Sequence, residues 1–198
     1  MKQEPFEAGG YYHVFNRGNN KENIFKENKN YSHFLNLMKK YLLTTCNIYG
    51  YCLLPNHFHW LIQIKNLDEL PADFAHGKIK ISLPFANLFN AYTKAINKKY
   101  HRTGSLFQEH LHRIKIENEA YFRELVLYIH LNPENHGIVS DFSHYNHSSY
   151  KAYISQSNTA LARSEVIPYF GDLENMILVH KHRQIRMEIL KGIDETET

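Results

Sequence analysis

The segment Tyr51-Cys52-Leu53-Leu54-Pro55-Asn56-His57-Phe58-His59-Trp60-Leu61-Ile62 places two imidazoles two residues apart at the start of an apolar run. Pro55-Asn56 breaks the chain just before the pair, which predicts a hairpin that turns into a strand over residues 57–64. Side chains alternate between the two faces of a strand, so His57 and His59 project from one side of it. Two neutral imidazoles on one face supply half of a metal site.

A His-x-His pair alone is weak support for a metal site. The chain has 14 His in 198 residues, and random placement gives about one such pair. The sequence in fact contains three, the others being His110 with His112 and His180 with His182. Only the pair at 57 and 59 is followed by a clear strand pattern. The alternative is two histidines hydrogen-bonded on a partly solvated sheet face.

The composition indicates a soluble globular protein of one domain with additions. Its 43% hydrophobic content is enough for an ordinary core. No apolar run is long enough to span a bilayer, and the segment 1–5 lacks the apolar stretch of a signal peptide, so a cytoplasmic protein without a membrane partner is expected. Cys46 and Cys52 are the only cysteines, which argues against a disulfide framework or a zinc–thiolate site.

The charge and the aromatic content permit binding to nucleic acid without requiring it. The formal net charge is +3, and 14 Tyr and 12 Phe occur among scattered Lys and Arg. Aromatic rings stack on unpaired bases while cations hold phosphates. The alternative is that most of these rings fill the core.

Hydrophobic periodicity predicts the order strand, helix, strand, strand, helix, strand, helix. The strands are expected over 11–15, 47–53, 57–64 and 105–116, and the helices over 30–42, 84–99 and 118–131, the last stopped by Pro133. This order predicts an α+β fold, a ferredoxin-like βαββαβ sandwich with an antiparallel sheet. The helix over 118–131 is an addition to it, and a last helix is expected over 171–190.

The helix over 118–131 carries a second polar pair. Tyr128 and Asn132 stand four residues apart and therefore lie on one helix face. A tyrosine hydroxyl can act as a covalent nucleophile, and an amide oxygen can bind a metal. Alternatively, Tyr128 packs in the core, as Leu125 and Leu131 are expected to do, and Asn132 caps the helix end.

Several segments occur in an order that resembles one known family. They are Tyr11-Tyr12-His13-Val14-Phe15-Asn16-Arg17-Gly18, Leu54-Pro55-Asn56-His57-Phe58-His59-Trp60-Leu61, Gly104-Ser105-Leu106-Phe107-Gln108, Tyr128-Ile129-His130-Leu131-Asn132-Pro133 and Ser148-Ser149-Tyr150. Together they resemble the REP-associated tyrosine transposases, a branch of the single-tyrosine HUH transposase superfamily. The resemblance covers roughly residues 10 to 170, and several motifs in register are far more specific than one His-x-His pair.

The resemblance implies a ferredoxin-like endonuclease and strand transferase that acts on single-stranded or hairpin DNA. It implies that His57, His59 and Asn132 hold a divalent metal, Mg²⁺ or Mn²⁺, and that Tyr128 attacks a DNA phosphate. The product would be a 5′-phosphotyrosine with a free 3′-hydroxyl, which a later strand rejoins. It also implies a catalytic domain over 1–140 and a C-terminal helical extension over 141–198 packed on it.

Cationic side chains are candidates for contacts with the DNA backbone. The candidate residues are Arg17, Lys21, Lys94, Lys98, Arg102, Arg113 and Lys115. Two features depart from the family pattern. Glu134-Asn135-His136 replaces a small apolar residue and an arginine after Pro133, and His110-Leu111-His112 stands where basic residues are more usual, so that it could form a competing metal site.

Two other functions remain open from the sequence. One is a non-catalytic DNA-hairpin-binding protein, a domesticated relative of the transposases. The other is a small metal-dependent hydrolase of nucleotides. The sequence also leaves open whether the protein is a monomer or a homodimer, and hence whether Tyr128 serves its own subunit or a partner.

Overall fold

The computed structural model of the protein describes residues 5–155 and 157–182. Within these ranges four strands form one antiparallel sheet: β1 (Tyr11–Arg17), β2 (Cys46–Leu54), β3 (His57–Ile64) and β4 (His112–Ile116). Their order across the sheet is β2-β3-β1-β4. The helices in the same ranges are α1 (Asn28–Leu42), α2 (Ala72–Ala75), α3 (Leu83–Lys99), α4 (Glu119–Asn135), α5 (Tyr150–Ile154), α6 (Arg163–Val166) and α7 (Leu173–His182).

The ferredoxin-like βαββαβ prediction is confirmed, with α1 and α3 packed on one face of the sheet. Each helix buries an apolar stripe at helical spacing, as Phe34 and Met38 do on α1 and Leu88 and Tyr92 do on α3. These stripes meet the side of β3 that carries Trp60. Helix α4 covers the opposite face, so both faces of the sheet are buried.

The burial of β3 follows directly from this arrangement. All eight of its residues are buried. Phe58 and Trp60 belong to the core under α1 and α3, whereas Leu61 belongs to the core under α4. Strand alternation therefore points the His57 and His59 side chains to the α4 side of the sheet.

The predicted fourth strand over 105–116 is too long. Only its end, β4, pairs with β1, while Leu106 and Phe107 are buried in the core under α3. The segment before β4 instead follows the turn after β1, where the Asn19 amide donates to the Leu106 carbonyl and the Gln108 amide to the Arg17 carbonyl. These hydrogen bonds to the turn after β1 replace the strand pairing that the sequence pattern predicted for residues 105–111.

The prediction that Pro133 stops α4 is also wrong, because the helix continues to Asn135. A proline in the last turn removes only one backbone hydrogen bond, and the next turn still closes when the His136 amide donates to the Asn132 carbonyl. The helix ends before Gly137, whose φ of +66° suits a glycine. Asn132 therefore lies inside the helix and does not cap its end.

The segment after α4 returns to the edge of the sheet next to β2. The Leu53 amide donates to the His147 carbonyl, and the Ser149 amide donates to the Tyr51 carbonyl. Helix α7 confirms residues 173–182 of the predicted last helix, and residues 183–190 of that prediction lie outside the described residues. The division of the chain at residue 140 stays a prediction. Among the described residues, no helix combines the length and hydropathy that crossing a membrane requires.

A row of buried hydrogen bonds ties α7 to α4 and β2. His130 on α4 lies 2.8 Å from His180 (Nδ1 to Nε2) and 2.8 Å from Ser149 (Nε2 to Oγ). Ser149 Oγ accepts the Tyr51 amide at 2.9 Å, and His180 Nδ1 donates to the Met176 carbonyl at 2.7 Å. The three side chains are buried. We call this row, from the Tyr51 amide to the Met176 carbonyl, the His130 chain.

We expect the free energy of unfolding to decrease in acid because of the His130 chain. Burial lowers the pKa of His180 to about 4, and the hydrogen bond to the Met176 carbonyl opposes this shift. A histidine in the unfolded chain has a pKa of about 6.5. Between those two pKa values this side chain is protonated in the unfolded state and neutral in the folded state. The free energy of unfolding therefore has its full value above about pH 6.5. It then falls by up to about 1.4 kcal/mol per pH unit for this residue.

Urea unfolding between pH 7.5 and 4 measures this effect. Burial also lowers the pKa of His130 and of His13 well below the usual value, so the wild-type slope should exceed that of one proton. The variant His180→Leu should remove about one proton from the slope. An unchanged slope in that variant would mean that His180 is not held neutral.

Candidate metal and nucleic-acid site

The face of the sheet under α4 carries a cluster of imidazoles. Strand pairing sets Arg17 opposite His57 and Phe15 opposite His59. On the other side of Phe15, β4 places His112, whose ring stacks on Phe15 at 5.2 Å between centroids. The predicted histidine pair therefore lies beside a cation and a row of stacked rings at the end of β1.

A small depression opens at this end of the sheet. It is lined by Phe15, Asn16, Arg17, His57, Phe58, His59, Gln108 and His112. Its volume of about 10 Å³ is room for one ion or one water molecule. Arg17 thus supplies positive charge at the site, although Glu134-Asn135-His136 replaces the arginine that the family pattern has after Pro133.

Both predicted ligand histidines are oriented by a neighbour through Nδ1. His57 Nδ1 donates to Asn56 Oδ1 at 2.7 Å, and His59 Nδ1 lies 3.0 Å from His13 Nε2. A hydrogen bond at Nδ1 fixes the orientation of the ring, so that Nε2 is the nitrogen that would bind a metal, as is usual for metal-binding histidines. Burial and, secondarily, His59 lower the pKa of His13 well below its usual value, so its ring is neutral.

The sequence reasoning missed the roles of His13 and Asn56. Both residues lie in segments that were singled out, and His13 alternates with Phe15 on the same strand. Strand alternation could therefore have placed His13 on the face of Phe15. The pairing register that brings it to His59 joins residues 46 positions apart and could not be read locally.

Helix α4 crosses the imidazole cluster. The Tyr128 ring lies 5.4 Å from the His59 ring and 6.1 Å from the His13 ring, close to perpendicular to both. Eight residues further on, the His136 ring lies 4.9 Å from the His57 ring. Asn132 is midway between Tyr128 and His136 on the same side of the helix. Tyr128 and Asn132, which the sequence pairs, are thus brought to the histidines.

The Asn132 side chain is fully buried, and neither its Oδ1 nor its Nδ2 has a hydrogen-bond partner among the described residues. A buried carboxamide without partners costs about 1–3 kcal/mol, so its presence calls for a ligand. An amide oxygen beside two imidazole nitrogens is a donor set that suits Mn²⁺, and less well Mg²⁺. The residues present therefore fit the divalent metal that the sequence resemblance implies.

No competing metal cluster is found in the part of the chain that the structure describes. There, no three His, Cys, Asp or Glu side chains form a group that could hold a metal. His110 is exposed and precedes β4, whereas His112 is part of β4. A metal at His57 and His59 would accordingly need a third protein ligand of another type, and the buried Asn132 carboxamide without a described partner fits that role.

The Tyr128 ring is only 3% exposed. It belongs to the core between α4 and the sheet, which is the alternative that the sequence leaves open. It also faces His59 and His13. Both features hold at once. The ring is therefore held between the core and the imidazole cluster.

The candidate DNA-binding residues fall into two groups. Arg17 lines the depression, and Lys21 is exposed on the turn after β1. The others are on α3, after it, or on the α3 side of β4. Of these, Lys94 and Lys98 are exposed, Arg102 is paired with Glu22, Lys115 with Glu7, and Arg113 stacks on Phe6. Of the seven candidates, only Arg17 lines the depression beside the histidines, and Arg102 is near the turn after β1 through its pair with Glu22.

Comparison with known proteins bears on the fold. No protein family model matches the chain, and no curated protein matches it. Among solved structures, a REP-associated tyrosine transposase bound to a REP hairpin is similar, with a TM-score of 0.61 and 18% sequence identity over 79% of this chain and 86% of that chain. At that identity the likeness concerns the path of the backbone. The chain therefore shares the fold of a tyrosine transposase.

Proposed function

We propose that this protein is a metal-dependent endonuclease and strand transferase for single-stranded or hairpin DNA, with Tyr128 as its nucleophile. The observation that carries the proposal is the path of α4 over the imidazole cluster. That path sets the Tyr128 ring against His59, and helix spacing puts the buried Asn132 carboxamide, which has no described partner, on the same side of α4. The similar solved structure is that of a transposase bound to a DNA hairpin, which supports the choice of substrate.

Each side chain has a distinct role in the proposed reaction. His57, His59 and Asn132 would hold a divalent ion, which would supply positive charge to the phosphate as negative charge builds up on it. Asn56 and His13 orient the two imidazoles. Arg17, opposite His57, contacts the phosphate backbone.

The chemistry is a transesterification. Tyr128 Oη attacks phosphorus, the bond between phosphorus and the 3′-oxygen breaks, and the phenol proton is transferred in net to the leaving 3′-oxygen. The products are a 5′-phosphotyrosine and a free 3′-hydroxyl. Attack by a 3′-hydroxyl on the phosphotyrosine restores the phosphodiester and the phenol, so no external energy source is needed.

A pool of DNA hairpins with randomised single-stranded flanks tests this function. Incubated with the protein and Mn²⁺, the pool should yield a protein–DNA adduct that survives denaturation, and sequencing the adducts should identify the preferred flank. The burial of Tyr128 favours a second candidate, a hairpin-binding protein without cleavage. Hairpin binding with neither nicking nor Mn²⁺ uptake would support that candidate, and turnover of free phosphoesters without an adduct would indicate a hydrolase.

We expect Arg17→Gln to weaken DNA binding more than Lys94→Gln does. Arg17 lines the depression, whereas Lys94 is on the outer side of α3, across the sheet. A lost phosphate contact lowers the slope of log Kd against log salt by about one. Fluorescence anisotropy with one hairpin at several salt concentrations measures both variants. A larger change of slope for Lys94→Gln would place the DNA on the α3 side.

A further inference from the structure

The His130 chain has a fixed direction. The Met176 carbonyl can only accept, so His180 carries its proton on Nδ1 and accepts at Nε2. His130 then donates from Nδ1 to His180, and its Nε2 accepts the Ser149 hydroxyl. Ser149 Oγ in turn accepts the Tyr51 amide. With both imidazoles neutral, every hydrogen bond of the His130 chain joins one donor to one acceptor.

The His130 chain ends on a backbone group at each side and passes through α4. Its first anchor is in β2, next to the strand that carries the histidine pair, and its last is in α7. The rings of Tyr150 and Tyr153 pack against His130 at 5.6 and 5.3 Å. His130 is therefore held by contacts with α7, with Ser149 and with two rings of α5.

The position of His130 on the helix gives this anchor a consequence for the site. His130 is two residues from Tyr128 and two from Asn132, so at about 100° per residue it points away from both. The apolar contacts of α4 are non-directional, whereas the hydrogen bonds of the His130 chain require a particular rotation of the helix. A rotation of about 10° moves an atom about 6 Å from the axis by about 1 Å, and such a displacement can cost about 100-fold in rate.

We propose that His130 is a positioning residue: the His130 chain fixes the rotation of α4 on the sheet and so holds Tyr128 and Asn132 against the imidazole cluster. The assignment of a catalytic consequence rests on the proposed function. The positional claim itself concerns only the distance between the Tyr128 and His59 rings and can be measured without metal or DNA.

The test uses the double variant His130→Leu/His180→Leu, which replaces both imidazoles by apolar side chains of similar size and avoids leaving one of them unpaired. The matched control is Tyr153→Phe. It removes a buried hydrogen bond from the same core, that of the Tyr153 hydroxyl to the Tyr49 carbonyl, without breaking the His130 chain. His130→Gln, which keeps one donor and one acceptor, serves as the conservative variant.

Four measurements on the full chain decide the outcome. The NMR shift of the His59 Cε1 proton reports the nearby Tyr128 ring, and it should change in the double variant but not in the control. Mn²⁺ affinity should fall by about 10-fold and the rate of adduct formation by about 100-fold, with hairpin affinity changed less than about threefold. His130→Gln should restore part of each.

Contrary results would separate the two proposals. A folded double variant with an unchanged His59 shift, or with unchanged Mn²⁺ affinity and adduct rate, overturns the positioning role. If the double variant does not fold, the same measurements on His130→Gln and on Ser149→Ala decide, and wild-type values in both overturn it. A wild-type protein that neither binds Mn²⁺ nor forms an adduct contradicts the proposed function, while the His59 shift still tests the position of α4.

Discussion

We expect Tyr128→Phe to abolish the protein–DNA adduct, with a loss of at least about 10³-fold, because it removes the only atom of this side chain that can attack phosphorus. The ring itself stays, and so do its contacts with His59 and His13. The free energy of unfolding should therefore change by no more than about 1 kcal/mol. Denaturing gels with end-labelled hairpin and Mn²⁺ measure the adduct, and urea unfolding measures the stability.

Tyr121→Phe is the matched control, since it removes a hydroxyl from the first turn of the same helix, two turns away from the histidines. It should form the adduct at the wild-type rate. Hairpin affinity should be similar in wild type and both variants, because the phenol hydroxyl acts in the chemical step. An adduct that persists in Tyr128→Phe, mapped by mass spectrometry to another residue, would refute the assignment of the nucleophile.

Asn132→Leu should have opposite effects on stability and on metal binding. Without metal, the variant removes two buried polar atoms that have no partner among the described residues, and the free energy of unfolding should rise by about 1–2 kcal/mol. The same variant lacks the proposed third metal ligand. Saturating Mn²⁺, which should stabilise the wild type by about 2.7 kcal/mol at 100 times Kd, should have little effect on the variant.

Urea unfolding with and without Mn²⁺ measures both effects, and Mg²⁺ in its place should stabilise the wild type less. Asn132→Asp keeps an oxygen ligand and adds charge, so it should bind Mn²⁺ more tightly while being less stable without it. Asn135→Leu, at the exposed end of the same helix, should change neither quantity strongly. If Asn132→Leu is destabilised and still protected by Mn²⁺, the carboxamide is a structural group.

The strands and helices that the sequence predicted correctly are those with regular local periodicity. The apolar stripes of α1 and α3 and the alternation around His57 and His59 are visible within a few turns of chain, and they match the buried residues. The predictions failed where a distant contact decides. Residues 105–111 follow the turn after β1, and α4 passes Pro133 because its last turn is packed against the core.

The candidate site was predictable in its members but not in its supports. The family resemblance of the ordered motifs implied Tyr128, Asn132 and the histidine pair as site residues. The partners that orient these histidines lie on β1 and in the β2–β3 turn, and no local pattern connects His13 with His59. The same holds for His130 and His180, which are 50 residues apart.

From the sequence alone, then, came the type of each element, the βαββαβ order and the identity of the side chains able to do chemistry, because alternation, helical spacing and residue type are local properties. Tertiary structure alone decided that α4 lies on the histidine face, that Tyr128 is buried against His59, and that Asn132 has no described partner. Those facts depend on strand register and on packing between segments far apart in the chain, where many weak contacts act together.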